Sequence, residues 1–326
     1  MPPMPFRPRT SRRLLCGLAL MAIAAIAVAG CGGGGNEATA DAGSAAATRT
    51  VATIYGPVKV PSEPQRIVAL DFPEATALAD LGVKPVGAPF YIPALPAYES
   101  FFKGMPKVTD SSAEPQLEEI AALEPDLIVG DANELEGKKG IYEKLSRIAP
   151  TALFEWKTAA GAWEADAMGT AEAIGAVPQM KRLKGEYEAH AARIKKDYGD
   201  LLARDPVDLL NGEPGVWYLY GPTSSHAKVL LAAGAHLGAG TTVGNAGFTE
   251  YSTEKYPLLK QTGLLVVGEE APGAGAKEVT QNPLFANLPA AKAGDVMETP
   301  YFFPSSYQIA EALLGDFEDF LGTVKR

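Results

Sequence analysis

Two kinds of segment alternate through most of this sequence: short apolar runs and longer amphipathic runs. The clearest apolar runs are residues 66–70 (RIVAL), 127–129 and 264–267, and none of them alternates apolar with polar residues. Such runs predict strands that are buried on both faces of a sheet. A helical pattern at 74–81 lies between the first and second of these runs, and another at 141–148 follows the second. The alternation therefore predicts an α/β fold with parallel strands.

The stretch from Trp163 to Leu202 contains no strand pattern. It predicts two helices split at residues 175–178, and the second, at 179–202, would be about 36 Å long at 1.5 Å per residue. The α/β alternation resumes after residue 206, with a strand predicted at 216–220. We therefore expect two α/β lobes joined by one long backbone helix.

The N-terminus has the pattern of a secretion signal. Residues 1–13 are basic without an acidic residue, and residues 14–29 form a 16-residue apolar run. That run is shorter than the ~20 residues that a transmembrane helix needs. Residues 28–31 (VAGC) resemble the lipobox of bacterial lipoproteins, in which Cys31 would be diacylated and become the mature N-terminus. An uncleaved anchor helix is the alternative, and residues 11–15 also resemble a twin-arginine export signal.

Lipid attachment at Cys31 would leave the mature chain without a thiol, because Cys16 departs with the signal. A disulfide, a thiolate metal site and a cysteine nucleophile are then excluded. The segment after Cys31 is rich in Gly, Ala and Ser and predicts a flexible tether. The predicted organisation is a signal at 1–30, a tether at 31–49, a first lobe at 50–160, a helical inter-lobe segment at 161–204 and a second lobe at 205–326.

The charge of the chain argues against nucleic acid as a partner. There are 29 Lys and Arg against 39 Asp and Glu, a formal net charge of −10. Four arginines and no acidic residue precede Cys31, so a chain that starts there has 25 basic and 39 acidic residues, a net charge of −14. Phosphate binding needs a basic surface, which this composition does not supply.

An ordered set of motifs runs through the predicted mature chain. They are PQRIVAL at 64–70, LGVKPVG at 81–87, EPQLEEI at 114–120, LEPDLI at 123–128, YEKLS at 142–146, IAPT at 148–151, YSTE at 251–254 and KAGDV at 292–296. This set resembles the substrate-binding lipoproteins of ABC importers for iron–siderophores and cobalamin. The resemblance implies a monomeric protein, lipid-anchored on the extracytoplasmic face of the cell membrane, with a ligand cleft between its two lobes. It implies no catalysis and no cofactor, only a ferric chelate as ligand and a permease, with its ATPase, as partners.

In that family one glutamate from each lobe pairs with arginines of the permease. Glu118 and Glu254 stand at the matching positions of this sequence. The alternative is that both are ordinary solvated carboxylates on helix surfaces.

Ligands of α/β lobes bind at the carboxyl ends of strands, where this sequence places several aromatic and polar residues. Aromatic faces suit a bulky chelate, although core packing is an equally good explanation for each residue alone. The candidate ligand-binding residues are Phe72, Tyr91, Asn133, Trp156, Tyr220, His226, Tyr301 and Phe302.

The arginines do not follow the pattern expected of a cleft that binds a trianionic catecholate chelate. Beyond residue 49 they are Arg66, Arg147, Arg182, Arg193, Arg204 and Arg326. Arg66 begins its predicted strand, the wrong end for the cleft, and the others lie on predicted helices or at a chain end. An acidic protein without cleft arginines favours a neutral or cationic ferric hydroxamate.

Other functions are less consistent with the sequence. Cobalamin or haem remains an alternative ligand. Direct binding of Zn²⁺ or Mn²⁺ would need several converging histidines and carboxylates, and the only histidines are His190, His226 and His236. Residues 268–273 have P-loop spacing but lack the following Lys and Ser or Thr, and no G-x-S-x-G motif occurs. We therefore predict a binding protein and not an enzyme, with no resident metal.

Overall fold

The first half of the chain forms a hairpin and then an α/β lobe. The computed structural model describes residues 47–92, 95–132, 140–154, 163–243, 247–269 and 275–325. The hairpin consists of β1 (Thr48–Thr53) and β2 (Gly56–Pro61). The first lobe then contains β3 (Ile67–Ala69), α1 (Phe72–Asp80), α2 (Pro96–Phe102), α3 (Leu117–Ala122), β4 (Leu127–Asp131), α4 (Ile141–Ile148) and β5 (Thr151–Phe154).

Two helices lead into a second α/β lobe. They are α5 (Trp163–Ile174) and α6 (Val177–Arg204). The second lobe contains β6 (Val207–Glu213), β7 (Val216–Tyr220), α7 (Ser225–Ala232), β8 (Phe248–Ser252), β9 (Leu264–Gly268), α8 (Ala276–Thr280), α9 (Pro283–Ala286), α10 (Pro289–Ala293), β10 (Val296–Thr299) and α11 (Tyr307–Thr323). Short 3₁₀ helices cover Ala239–Thr242 and Thr253–Leu259.

The sheet of the first lobe is parallel, with strand order β3-β4-β5. Every residue of its strands is buried, as expected for a parallel sheet that helices cover on both faces. The end of the LGVKPVG motif adds to this sheet only a single parallel bridge between Gly87 and Val68. A Cβ at Gly87 would lie 2.5 Å from Val108 and 2.6 Å from Leu123, so only glycine fits there.

The sheet of the second lobe is mixed, with strand order β10-β9-β6-β7-β8. Strands β6, β9 and β10 are parallel, whereas β7 and β8 pair antiparallel. The parallel arrangement inferred from the first-lobe pattern therefore does not extend to the whole of this sheet. The sequence pattern missed β6 because Asp208 and Asn211 interrupt its apolar run, although both are buried. It also missed β8, an edge strand that is mostly exposed or half-buried.

The long helix predicted between the lobes is present as α6. Its 28 residues span about 42 Å at 1.5 Å per residue. The buried side chains of one face join a core that also contains residues of α1, α5, α7 and α11. They are Met180, Tyr187, Ala191, Ile194, Leu201 and Leu202. The helix thus has a continuous apolar face in a core shared by elements of both lobes.

A polar network also ties the first lobe to the start of α11. Asp80, the last residue of α1, accepts hydrogen bonds from the Tyr98 hydroxyl (2.8 Å), the Ser306 hydroxyl (3.0 Å) and the Gln308 backbone N–H (3.0 Å). Burial raises the pKa of Asp80 to about 6, an effect that these hydrogen bonds oppose. Thr76 Oγ1 lies 3.1 Å from the Ser305 hydroxyl. Together with the α6 core, these contacts restrict motion between the lobes.

Candidate functional site

The carboxyl end of β3 presents aromatic side chains at the edge of the first lobe. Asp71 follows the strand and caps α1, because its Oδ1 accepts the Phe72 backbone N–H at 2.7 Å. The ring of Phe72 meets that of Tyr91 edge to face, with centroids 5.8 Å apart. Tyr91 and its neighbour Phe90 are 55% and 54% exposed, which is unusual for such large apolar rings. Phe72 and Tyr91 therefore form an accessible aromatic surface.

The second lobe holds a larger aromatic cluster, formed by Tyr220, His226, Phe302 and Phe303. The His226 ring stacks on Phe302 at 4.0 Å and meets Tyr220 at 4.4 Å. Phe302 lies over Gly268 so closely that a Cβ there would come 2.1 Å from the ring. The chain after β10 thus folds over the sheet and brings Phe302 to Tyr220.

The interior of this aromatic cluster is closed. Phe302 and His226 have 0% exposure, and Tyr220 has 9%. Burial lowers the pKa of His226 to about 3, so the imidazole is neutral at physiological pH. Neither of its ring nitrogens has a hydrogen-bond partner among the described residues. Phe302 and His226 therefore support the cluster from inside, while the half-buried Phe303 forms part of its boundary.

Two residues outside the eight candidate ligand-binding residues complete this surface. Phe248, the first residue of β8, is 47% exposed and lies 5.7 Å from the Tyr220 ring and 5.6 Å from Tyr218. Phe303 lies 5.8 Å from Tyr220. Phe303 follows two selected aromatics, so the sequence did carry a signal for it, whereas Phe248 lies on a strand that the pattern missed.

Tyr301 connects the two regions. It is half-buried and packs against the main core clusters of both lobes. The structure thus brings Tyr220, His226 and Phe302 together, pairs Phe72 with Tyr91, and places Tyr301 at the junction of the lobes. Asn133 and Trp156 lie outside the described residues, as does Cys31.

The described arginines beyond residue 49 are all exposed. Arg66 donates from Nε to the carbonyls of Leu123 and Glu124, at 3.0 Å each, and so caps the end of α3. Arg147 lies on α4, and the remaining three are on α6. Within the described residues, no arginine therefore joins the aromatic surface.

Glu118 and Glu254 lie on different lobes, and both are exposed. Glu118 is in the first turn of α3. The loop before that helix is ordered by Asp110, whose Oδ1 accepts the backbone N–H groups of Ser112 (2.8 Å) and Glu114 (3.0 Å). This turn gives α3 a fixed starting point.

Glu254 is held by its neighbours at the start of the second 3₁₀ helix. Ser252 Oγ donates to Glu254 Oε1 at 2.5 Å, and this hydrogen bond lowers the pKa of the carboxyl. Beneath it, Trp217 stacks between Tyr251 and Tyr256 with centroids 4.9 Å from each. A cavity of about 280 Å³ adjoins this site and is lined by Glu254, Lys255, Pro257, Leu258 and Lys260.

The part of the chain that the structure describes contains neither a cluster of metal ligands nor a membrane-spanning helix. No three His, Cys, Asp or Glu side chains in it converge as metal ligands. No helix in it combines the length and apolarity that crossing a membrane requires.

Comparison with known proteins decides the family. Residues 67–301 match the family model described as "Periplasmic binding protein". The chain belongs to this family. Its members are binding proteins, so the prediction that the chain is not an enzyme is confirmed.

Named relatives of this binding protein confirm the resemblance found in the motifs. It is 33% identical over 193 residues to the "Probable siderophore-binding lipoprotein YfiY" of Bacillus subtilis, an alignment that covers 58% of this chain and 57% of the relative. It is 28% identical over 257 residues to the "Fe(3+) dicitrate-binding periplasmic protein FecB" of Escherichia coli, covering 78% and 82%. The binding protein thus spans little more than half the length of the first relative and about four fifths of the second.

A solved structure confirms the fold. The siderophore periplasmic binding protein from the fuscachelin gene cluster of Thermobifida fusca superposes with a TM-score of 0.73 at 26% identity. The match covers 81% of this binding protein and 98% of that chain. The predicted architecture of two α/β lobes with a helical backbone is therefore confirmed.

Proposed function

We propose that this binding protein captures a ferric siderophore between its lobes and delivers it to the permease of an ABC importer. The observation that carries the proposal is the pair of aromatic surfaces, one on each lobe, at Phe72–Tyr91 and at Phe248–Phe303, where both phenylalanine rings pack on the buried Tyr220. Exposed aromatic faces bind the apolar periphery of a bulky chelate, and the hydroxyl of an exposed tyrosine such as Tyr91 can donate to its polar edge. The names of the relatives support the same ligand class.

Charge makes a hydroxamate chelate the preferred ligand. A ferric tricatecholate carries three negative charges and needs charge-assisted donors such as arginine. The described arginines are on the surface, and the protein has an acidic balance. A neutral or cationic ferric trihydroxamate avoids the resulting repulsion.

Glu118 and Glu254 are proposed as the docking contacts for the permease. One lies on each lobe, both are exposed, and Ser252 fixes the Glu254 carboxylate in its ionised form. The cavity beside Glu254, with Leu258 50% exposed at its wall, offers an apolar contact next to the charge. Charges at the rim of an interface guide the association and fix the relative orientation of the partners more than they add affinity.

The proposed location is the extracytoplasmic face of the membrane, with Cys31 as the lipid anchor and the segment at 31–49 as a tether. Support comes from the lipobox-like sequence and from relatives that are named lipoproteins. Replacing Cys31 by Ala should release the processed protein into the soluble fraction. Membrane retention after complete signal removal would contradict the anchor.

Fluorescence titration tests the proposed ligand. A ferric trihydroxamate should quench the Trp and Tyr emission saturably, and a ferric tricatecholate should bind at least about tenfold more weakly, a difference of about 1.4 kcal/mol. Tyr91→Ala should weaken trihydroxamate binding, whereas the matched control Tyr142→Ala, a tyrosine on α4, should not. Tight binding of the catecholate or of ferric citrate, without a hydroxamate response, would overturn the choice of chelate.

A further inference from the structure

Two buried carboxylates lie where the first lobe packs against α5, beside the proposed ligand surface. Glu74 on α1 and Asp166 on α5 are both 0% exposed. Among the residues that the structure describes, neither carboxylate has a hydrogen-bond partner at either oxygen. Helices α1 and α5 pack against each other, and the two carboxylates lie close enough to interact electrostatically.

An independent observation marks the same space. Thr170 lies one turn after Asp166 on α5, and residues four apart share one face of a helix. Its hydroxyl is also fully buried and has no hydrogen-bond partner within the described part of the chain. A buried hydroxyl that lacks a hydrogen bond is destabilising, so three unpartnered groups in one place are not explained by packing.

Two more carboxylates add negative potential. Asp131 ends β4 and is 3% exposed, and Asp71 follows β3. Burial and then the charges of Asp166, Asp71 and Asp131 raise the pKa of Glu74. Burial, followed by the charges of Asp131 and Asp71, raises the pKa of Asp166 to about 8. The four groups therefore lie close enough to repel one another.

Two of these four carboxylates lie at the edge of the sheet where the ligand cleft is expected. Asp71 and Asp131 stand at the carboxyl ends of adjacent parallel strands, where α/β lobes bind ligands. Asp71 is only half-buried and directly precedes Phe72 of the aromatic surface. A flexible arm of a ligand that rests on Phe72 and Tyr91 would enter past Asp71 toward Glu74.

We propose that Glu74, Asp166 and Thr170 form a subsite for an ammonium group carried on an arm of the bound chelate. This inference rests on the proposed function and specifies the ligand as a cationic ferric chelate. An ammonium offers three hydrogen-bond donors and one positive charge. As it binds, the two acids release their protons to solvent, and the resulting carboxylates and the Thr170 hydroxyl oxygen accept its hydrogen bonds. Inside a dry site such charge-assisted bonds are stronger than those between neutral groups.

The test compares two ligands that differ only in that charge. One is a ferric trihydroxamate with a free primary amine, and the other is the same chelate with the amine acetylated. The protein should bind the amine-bearing chelate at least tenfold more tightly. Glu74→Gln and Asp166→Asn should bring the ratio close to one by weakening only the amine-bearing ligand. Glu172→Gln, which removes the same charge from an exposed position on α5, should leave the ratio unchanged.

Thermal unfolding without ligand gives a second readout. If the subsite is empty in the ligand-free protein, Glu74→Gln and Asp166→Asn should each relieve the repulsion among the carboxylates and raise the Tm. A lower Tm for either variant would mean that a basic group of the chain itself occupies this space, and would overturn the subsite. An excess of a simple alkylamine should not stabilise the protein as the chelate does; equal stabilisation would also overturn it.

The outcomes separate the two proposals. Equal binding of the free and acetylated chelates would remove the ammonium subsite and leave the siderophore function standing. Binding of neither chelate would contradict the proposed function itself.

Discussion

The two lobes bury carboxylates in opposite ways. Asp208 on β6 is fully buried, and it accepts hydrogen bonds from the backbone N–H of Ala239 (2.9 Å), that of Gly240 (2.6 Å) and the Thr262 hydroxyl (2.6 Å). Glu74 in the first lobe and Asp166 on the adjoining helix α5 are equally buried, but no described residue donates a hydrogen bond to them. Because an uncompensated buried charge is strongly unfavourable, Asp208 stabilises the fold through its donors, whereas Glu74 and Asp166 are the groups that we propose to bind a ligand.

The hydrogen-bonded carboxylate of Asp208 connects separate parts of the second lobe. It joins the first strand of the second lobe to the 3₁₀ helix at Ala239–Thr242 and to the turn before β9. Burial raises the pKa of Asp208, while these hydrogen bonds oppose that effect. The carboxylate thus fixes two connecting segments, the 3₁₀ helix and the turn before β9, that belong to no strand or long helix.

The largest expected effect follows from removing that anchor. Asp208→Ala leaves three donors without an acceptor, at about 1–3 kcal/mol for each that stays buried, so we expect a loss of about 3 kcal/mol or more in the free energy of unfolding. Urea denaturation measures it. Glu213→Ala, an exposed acid at the end of the same strand, is the control and should change stability by less than about 0.5 kcal/mol. Similar effects from the two changes would show that Asp208 is not structural.

The second prediction concerns the pH dependence of stability in the ligand-free protein. The pKa of Asp166 is about 8 in the folded state against an ordinary 3.8, so the folded protein retains a proton that the unfolded chain releases above pH 3.8. That contribution is fully present below pH 3.8 and is lost as pH rises toward 8, by at most about 1.4 kcal/mol per pH unit. Glu74 and Asp80 have raised pKa values and act in the same direction.

Thermal melts between pH 4 and 8 test this prediction. Asp166→Asn should flatten the decline of Tm with rising pH, since an amide does not titrate. The control Glu172→Gln should keep the wild-type slope, because its carboxylate is exposed. A wild-type Tm that rises steadily toward pH 8 would show that both unpartnered carboxylates are ionised in the folded state and already paired.

The smallest effect on stability should come from exposed carboxylates. Glu118→Gln and Glu254→Gln should change the free energy of unfolding by less than about 0.5 kcal/mol and leave chelate binding intact. If both dock to the permease, each change should still impair uptake in cells, and the double variant should abolish it at low protein abundance. Glu119→Gln, an exposed neighbour on α3, is the matched control. Normal uptake by the double variant would exclude the docking role.

Much of the fold was predictable because its signals are local. The apolar runs at β3, β4 and β9 are short and continuous, and the parallel sheet of the first lobe follows from them. The strandless stretch gave the long helix α6 for the same reason. The predictions failed at β6 and β8. A buried Asp208 breaks the apolar pattern of β6, and the exposed edge of β8 removes the burial that makes a strand recognisable.

The features of the candidate site can likewise be divided into those with a local sequence signal and those that depend on tertiary packing. The sequence by itself determined the family motifs, the acidic balance and the position of Phe72, Tyr91 and Tyr220 near strand ends. Only the tertiary structure decided that β7 runs antiparallel to β6, that Phe302 closes over His226, and that Glu74 faces Asp166. The physical reason is that periodicity and apolar runs reflect neighbours along the chain. The compensation of a buried charge depends on donors that only long-range packing brings within reach.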